Sequence, residues 1–281
     1  MHTINRTING IPVFGESYSS PTELLTVLGS RSLADACLRD FFPDEYRNYD
    51  DFYGFETGKQ CKEDFVKAKC DPTILKAIQG DQPTSVRKTE FFHDVVGFKP
   101  IVPLALMNQP KAMFNQRTVL VKAKVINLHI SVTAHYGYTI EQLAKAGKTV
   151  IEYIWGLELE GYRVSLTVYF AVRHTRGLVY MGLRVKDASQ PLDISRCAYP
   201  FINPSFFRGI GFMWYQRTDG FNHDSHYGWP FGRGSEWAGA FEQALPRENR
   251  IVLYLADIMD RGKDGLDKAL AEIKKNQYKS L

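Results

Sequence analysis

The chain has 281 residues, of which 44% are hydrophobic and 23% are charged, and its formal net charge is +4. This composition is typical of a globular protein and excludes a disordered or fibrous chain. The longest apolar runs, such as residues 101–107, are far shorter than the roughly 20 residues that span a bilayer, and the N-terminus lacks the basic and apolar stretches of a secretory signal. We therefore expect no membrane contact and a cytoplasmic location, with the four cysteines, none in a Cys-x-x-Cys pair, as reduced thiols.

Apolar residues are irregularly spaced over residues 1–96, which predicts an irregular, helix-leaning N-terminal extension that packs on the rest of the chain. A helix is expected to begin at Pro21, with Ser20 as its cap, because proline is favoured at the first helical position. Two further helices are expected over Ser32–Phe41 and Asp71–Ile78.

An acidic segment lies within this region. Residues 31–65 carry nine acidic and five basic side chains, a local balance of −4, so the remainder of the chain sums to +8. A basic body attracts a polyanion, while a separate acidic segment can contact a basic protein such as a polymerase or an ATPase. Two ordinary solvated surfaces would explain the same charges, and both interpretations stay open.

Regular alternation begins near Thr118 and predicts one or two strands. His129 falls inside this pattern, where a buried or cross-strand role is expected. Thr139 then has the sequence of a helix cap, because Gln142 stands three residues further on, in the capping-box position. The helix is expected to run to about Leu159.

Strands and helices alternate further along the chain. Strands are expected over residues 164–172, 178–185 and 251–256, and helices over 192–199, from Asn203–Pro204 onward, and over 264–276. This alternation predicts an α/β fold with a three-layer sheet, which binds ligands at the carboxyl ends of its strands. We assign residues 97–281 to this domain.

Several segments of this domain carry a family resemblance. They are Val125–Thr139 leading into Glu141–Gly147, Val185–Ser195, Ala198–Phe212, and the proline-rich Gly97–Pro103 with Asn108–Met113. Over about residues 97–260 the chain resembles von Willebrand factor A-like domains, in particular a divergent set found in bacteriophages and prophages. The resemblance implies a Rossmann-like sheet with a partner-binding crevice at the strand ends.

Metal-binding members of the wider superfamily carry Asp-x-Ser-x-Ser after the first strand, which holds a divalent cation through oxygen ligands. The matching positions here are Ser131, Thr133 and His135, so the carboxylate is missing. The resemblance therefore implies a crevice without a metal ion, and we expect no cofactor. A metal-dependent hydrolase is a third, less favoured interpretation. Its ligands would be Asp187, Asp193, His135 and His223.

The most unusual composition lies over Phe206–Trp237, where ten of 32 residues are Phe, Tyr or Trp and three are arginines. Bases stack on exposed rings with about 1–3 kcal/mol each, while arginine pairs with phosphate. The half up to Tyr215 is expected to bury much of its apolar face, whereas the loop half needs water or partners for its backbone. A protein interface has a similar composition, and both interpretations stay open.

The candidate nucleic-acid-binding residues come from this segment and from a second, basic set. They are Arg208, Trp214, Arg217, Tyr227, Trp229, Phe231 and Arg233, with Lys111, Arg117, Lys122 and Lys124 as the second set.

No P-loop, Gly-x-Ser-x-Gly elbow or complete dinucleotide-binding glycine motif is present, which favours a protein that is not an enzyme. Some podophages that carry their own RNA polymerase encode a basic single-stranded DNA-binding protein of about this size, which assists transcription, and this chain resembles that class. We therefore expect a sequence-tolerant, homo-oligomeric single-stranded DNA-binding protein of a phage, which serves transcription or replication and contacts a phage RNA polymerase. The alternative is a protein-interaction adaptor of the von Willebrand A-like type without a metal site.

Overall fold

The structure is a computed structural model and describes residues 1–29, 58–70, 72, 75, 88–119, 124–135, 137–218 and 229–259. Some of the predicted features fall elsewhere in the chain. The helices over 32–41 and 264–276, most of the helix over 71–78, and the candidates Lys122, His223 and Tyr227 lie outside the described residues.

The named elements are numbered in chain order. The strands are β1 (His2–Ile8), β2 (Ile11–Tyr18), β3 (Lys88–Asp94), β4 (Lys99–Pro100), β5 (Met113–Val119), β6 (Val125–Ser131), β7 (Arg163–His174), β8 (Gly177–Lys186) and β9 (Arg250–Tyr254). The helices are α1 (Pro21–Leu28), α2 (Gly58–Lys67), α3 (Val102–Leu106), α4 (Ile140–Leu159), α5 (Ile194–Ile202), α6 (Phe212–Arg217) and α7 (Glu236–Ala244), with a π-helix (Ser205–Gly211) between α5 and α6.

Six strands form the main sheet, in the order β1–β2–β8–β7–β6–β9. Strands β7, β6 and β9 are parallel to one another, and β8 is antiparallel to its neighbour β7. Strand β2 is parallel to β8, and β1 completes the edge as the antiparallel partner of β2. The sheet is therefore mixed, and the predicted α/β class is confirmed.

The prediction of an irregular, helix-leaning N-terminus is wrong for residues 2–18, which form the hairpin of β1 and β2. Asn9 and Gly10 make the turn with φ angles of 51° and 81°. Positive φ at both positions is what a two-residue type I′ turn requires, and Asn-Gly is its favoured sequence. Strand β1 was missed because it lies at the sheet edge, where all but one of its residues stay at least partly exposed and no apolar run forms.

Helices α1 and α4 begin where the sequence predicts. Helix α1 starts at Pro21, and the Ser20 hydroxyl accepts a hydrogen bond from the Glu23 amide. The Thr139 side chain accepts a hydrogen bond from the Gln142 amide while the Gln142 side chain accepts one from the Thr139 amide, so the capping box is confirmed. These caps satisfy backbone N–H groups that have no partner within the helix.

Helices cover both faces of the main sheet. On one face α1, α2, α4, α5, the π-helix and α6 pack around buried residues such as Leu128 and Val168. On the other face α7 packs around Tyr169 and Phe241. Val168 and Tyr169 belong to different cores because successive side chains of a strand point to opposite faces.

A separate small sheet is formed by residues 88–119, which we call the arm. Its strand order is β3–β5–β4, both pairings are antiparallel, and α3 lies between β4 and β5 in the chain. Among the described residues, no arm strand pairs with the main sheet and no arm residue belongs to either core. The domain boundary expected at residue 97 falls inside the arm, between β3 and β4.

Candidate nucleic-acid interface

Two of the candidate residues, Trp214 and Arg217, lie on α6 and bind a buried carboxylate. Trp214 is fully buried and its Nε1 donates to Glu16 Oε2 over 2.8 Å, while Arg217 Nη1 donates to the same oxygen over 3.1 Å. The Tyr18 hydroxyl also donates to it. Burial raises the pKa of Glu16, but these hydrogen bonds and the Arg217 charge outweigh burial, and the net pKa is lowered. Trp214 is therefore enclosed by the protein, whereas 30% of the Arg217 side chain stays exposed.

Arg208 and Phe231 are also internal. Arg208, on the π-helix, is 1% exposed; its guanidinium carbon lies 4.9 Å from the Phe207 ring centroid, and its Nη2 donates to the His135 carbonyl oxygen over 3.4 Å. Phe231 is 8% exposed and packs edge-on against Phe241, with 5.9 Å between the ring centroids. The segment is rich in aromatic rings because it supplies both cores, and its composition does not distinguish that role from binding.

Trp229 is the candidate ring that reaches the surface, with 41% of its area exposed. Its amide donates to the Arg173 carbonyl over 3.0 Å and its carbonyl accepts from the Arg173 amide over 2.9 Å, which fixes it beside the end of β7. The Arg173 guanidinium lies 5.7 Å from the Trp229 ring centroid. Arg233 Nη2 donates to the Val252 carbonyl over 2.7 Å and is held against β9. Arg173 is thus an exposed cation beside Trp229. The sequence does not reveal this pairing, since nothing in the sequence of β7 places Arg173 next to Trp229.

A second exposed aromatic surface lies on the arm. Phe91 is 63% exposed and Phe98 is 60% exposed, and their rings meet edge-on with centroids 6.3 Å apart. Lys99 pairs with Phe114, which also pairs with His93, so the strand register places Lys99 and Phe91 on the same face of the arm. This face therefore combines open aromatic rings with an exposed ammonium group.

The predicted basic set lies partly on the arm and partly at the main sheet. Lys111 is exposed beside β5, the backbone of Arg117 belongs to β5, and Lys124 is exposed where β6 begins in the main sheet. The adjacent Phe91 and Phe92 within the otherwise polar stretch Lys88–Asp94 were the signal that the sequence offered.

The arm also exposes a group of aliphatic side chains. They are Val95, Val96, Val102, Leu106 and Met107, each 58–80% exposed. Soluble monomers rarely expose contiguous apolar patches of this kind unless the patch binds something. The arm is therefore the best-supported candidate interface among the described residues.

The strand-end residues singled out by the resemblance have other partners. Ser131 and Thr133 are buried, and Thr133 Oγ1 accepts a hydrogen bond from the Ala171 amide over 2.8 Å. His135 is exposed, and its Nδ1 accepts from the Gly137 amide over 3.2 Å. Thr133 therefore connects the segment after β6 to β7 by a hydrogen bond, and His135 stabilises a local turn.

Asp187 and Asp193 likewise bind local backbone groups. Asp187 accepts hydrogen bonds from the amide and hydroxyl of Ser189, and Asp193 caps α5 by accepting from the Arg196 amide. Within the described ranges, no three His, Cys, Asp or Glu side chains lie close enough together to hold a metal ion. The hydrolase interpretation gains no support from these positions.

The described cysteines are free thiols. Burial raises the pKa of both Cys70 and Cys197 to about 12, and it raises the pKa of Cys61 as well. The thiolate is the nucleophilic form, so these residues are poor nucleophiles at neutral pH.

Comparison with known proteins gives a family without a described activity. No curated protein matches the chain, and no solved structure matches it. In the part of the chain that the structure describes, no helix is long and apolar enough to cross a membrane. One family model matches residues 10–277, nearly the whole chain. The chain therefore belongs to the family described as a domain of unknown function, DUF7192.

Proposed function

We propose that the chain is a non-enzymatic, sequence-tolerant single-stranded DNA-binding protein that contacts DNA through the arm. The observation that carries this proposal is the pair of exposed rings, Phe91 and Phe98, which contact one another, with the exposed Lys99 on the same face as Phe91. Each base can stack its π-face on an exposed aromatic ring, and a lysine ammonium group pairs with the negative charge of the neighbouring phosphate. Stacking accepts any base, so little sequence preference is expected.

The setting of this activity is also part of the proposal. We place the protein in the cytoplasm of a phage-infected host, as a homo-oligomer that serves transcription or replication together with a phage RNA polymerase. The von Willebrand A-like relationship belongs here too, supported by the strand–helix unit of β6 and α4 that carries Ser131, Thr133 and His135. The net charge of +4 favours attraction to a polyanion.

The test is a fluorescence-anisotropy titration of a labelled single-stranded oligonucleotide at low salt. The double variant Phe91→Ala/Phe98→Ala is expected to weaken binding by at least about tenfold, because stacking contributes about 1–3 kcal/mol per base. Both rings are largely exposed, so the melting temperature should change little. Leu159→Ala, which truncates an apolar side chain 48% exposed on α4, is the matched control and should bind as the wild type does.

Two further variants distinguish the possible surfaces. Lys99→Gln should reduce the slope of log affinity against log salt by about 0.7, the value for one phosphate contact on a single strand. Trp229→Ala should leave the affinity unchanged. A loss with Trp229→Ala alone would move the interface to the Arg173 end of the main sheet, and no binding by the wild type at micromolar protein would refute the proposal.

A protein-interaction adaptor is the second candidate, favoured by the aliphatic group that ends at Leu106 and Met107. Nucleic acid gives such side chains little to pair with, whereas a protein partner buries them. In this case Leu106→Asp/Met107→Asp should abolish a complex that survives nuclease treatment, or should convert an oligomer to a monomer in sedimentation. Unchanged complexes and oligomeric state would remove this candidate.

A further inference from the structure

A crevice lies on the α7 face of the main sheet, away from the arm. Helix α7 has nine residues and ends at Ala244, so it covers only part of this face. Beyond its end a crevice of about 730 Å³ opens between β1, the segment after α7 and the sheet itself, with Leu245 and Arg6 among its lining residues. Arg6 Nη2 donates to the Gln243 carbonyl over 3.3 Å and connects β1 to the end of the helix.

The floor of the crevice is a polar row across three adjacent strands. His129 on β6 is paired with Thr167 on β7, and Thr167 is paired with Arg184 on β8. The opposite face of the same strands carries buried leucines, Leu128 and Leu166. Within this row His129 is buried while Arg184 is exposed, and a buried polar group costs free energy unless it is paired.

Two tyrosine rings form the next part of the floor, and glycines make room for them. A Cβ atom on Gly182 would lie 2.5 Å from the Tyr169 ring, and one on Gly15 would lie 2.1 Å from the Tyr180 ring. Each ring therefore lies across the neighbouring strand instead of standing away from the sheet. The two rings meet edge-on with centroids 5.8 Å apart, and both are buried, so they form the inner wall of the crevice.

One ring nitrogen of His129 has no hydrogen-bond partner among the described residues. It is 4% exposed, its Nδ1 lies 2.8 Å from the Tyr169 hydroxyl, and its Nε2 is buried without a hydrogen bond to any described residue. Burial, reinforced by the positive charges of Arg250 and Arg184, lowers the pKa of His129 to about 4, so the ring is neutral at pH 7. Tyr169 also hydrogen-bonds Thr167. Its hydroxyl can therefore accept from Thr167 and donate to Nδ1, which leaves the imidazole proton on Nε2.

The charges around the crevice have one sign. Its described lining includes Arg6 and Arg184 and no carboxylate. Arg184 pairs with Asp187, whose carboxylate lies 3.7 Å from the guanidinium in a pair that is about half exposed, and Glu23 pairs with the Met1 amino group at the rim of the crevice. A solvated pair of this kind is weak and leaves the guanidinium available to another anion.

We propose that this crevice binds a small organic anion, whose carboxylate or phosphate oxygens pair with Arg184 and His129 and whose apolar part lies against the half-buried Ile4 of β1. The guanidinium supplies charge-assisted hydrogen bonds and the neutral imidazole supplies the buried N–H donor. The described lining of the crevice contains no arm residue, so anion binding can be tested separately from DNA binding.

The test uses the full chain labelled with ¹³C at histidine Cε1, in which the His129 resonance is assigned with the variant His129→Gln. Inorganic phosphate, phenyl phosphate, acetate and benzoate are titrated in turn. A saturable shift of the His129 resonance is expected, with the phenyl-bearing anions binding more tightly because they also contact the apolar lining of the crevice at Ile4. The phosphate and carboxylate arms show which oxyanion the site prefers.

Arg184→Gln should weaken binding of the tightest anion by at least about tenfold, the loss expected for a charge-assisted hydrogen bond. Arg184 is exposed, so folding is not at risk. Arg196→Gln, an exposed arginine on α5 on the other side of the sheet, is the matched control and should bind as the wild type does. The inference is overturned if none of the four anions shifts the His129 resonance, or if Arg184→Gln and Arg196→Gln bind equally.

Discussion

Glu16 is a carboxylate held inside the protein by three donors, Tyr18, Trp214 and Arg217. The substitution Trp214→Phe keeps an aromatic ring and removes the indole N–H. Because it leaves a buried acceptor with one donor fewer, we expect it to lower the free energy of unfolding by about 1–3 kcal/mol and to leave DNA affinity unchanged. Urea denaturation and the anisotropy titration measure the two effects.

Trp155→Phe is the control for this substitution, since Trp155 Nε1 makes no hydrogen bond to a described residue. It should cost less stability than Trp214→Phe. A Trp214→Phe protein that keeps its stability but loses DNA affinity would show that this buried ring takes part in binding after all.

His129 gives a pH dependence that can be isolated from the rest of the protein. The folded chain holds the His129 pKa at about 4, against 6.5 for an unperturbed histidine. Between these values the unfolded state binds the proton and the folded state does not, so the free energy of unfolding falls as the pH falls from 6.5 to 4. The full contribution is roughly 3 kcal/mol, and it is present above pH 6.5.

Carboxylates also titrate in the lower part of this window, so the wild type is compared with His129→Gln. The difference in unfolding free energy between the two proteins, measured in urea at pH 7, 5.5 and 4, should change in favour of the variant as the pH falls. Parallel curves would mean that His129 has an ordinary pKa in the folded protein.

At the scale of elements, Gly15 in a strand and Gly156 in a helix differ in the space available for a Cβ atom. Gly15 lies in β2, where a Cβ atom would overlap the Tyr180 ring at 2.1 Å, while Gly156 lies in α4 with no other atom within 4 Å of the added Cβ. Gly15→Ala should destabilise the protein by about 1–3 kcal/mol through overpacking. Gly156→Ala should stabilise it by about 0.5–1 kcal/mol through helix propensity.

Thermal and urea denaturation of the two variants give this comparison directly. The same residue change at two positions controls for its effect on the unfolded chain. If Gly15→Ala proved neutral, the Tyr180 ring would be free to move away from the sheet surface.

Element boundaries could be predicted where the signal is local. The capping box of Thr139 and Gln142 and the proline start of α1 are contacts within one helical turn, and both were read from the sequence. The Asn9–Gly10 turn is an equally local signal that was overlooked, because the residues on either side alternate weakly. Strand β1 is stabilised by its pairing with β2 at the sheet edge, which its own sequence does not display.

At the scale of the molecule, the arm and the main sheet differ in what holds them. The arm strands pair only with one another among the described residues, and several of their neighbouring side chains stay exposed. Local opening free energies follow buried contacts. Amide hydrogens of the arm should therefore exchange before those of β7 and β8, which lie in the interior of the main sheet.

Hydrogen exchange followed by mass spectrometry resolves peptides of both regions. Adding single-stranded DNA should slow exchange in the arm and leave β7 and β8 unchanged if the arm is the interface. Equal protection of the arm and the main sheet in the free protein would mean that a partner, including a second copy of the chain, already covers the arm.

The sequence by itself determined the α/β class, the starts of α1 and α4 and the approximate positions of β7, β8 and β9, because periodicity and capping act over a few residues. Only the tertiary structure decided which aromatic rings are exposed. Trp214 is buried and Phe91 is open, although both are apolar residues in regular elements. Burial depends on strand pairings between distant parts of the chain, such as β2 with β8, and the same pairings assemble the row from His129 to Arg184.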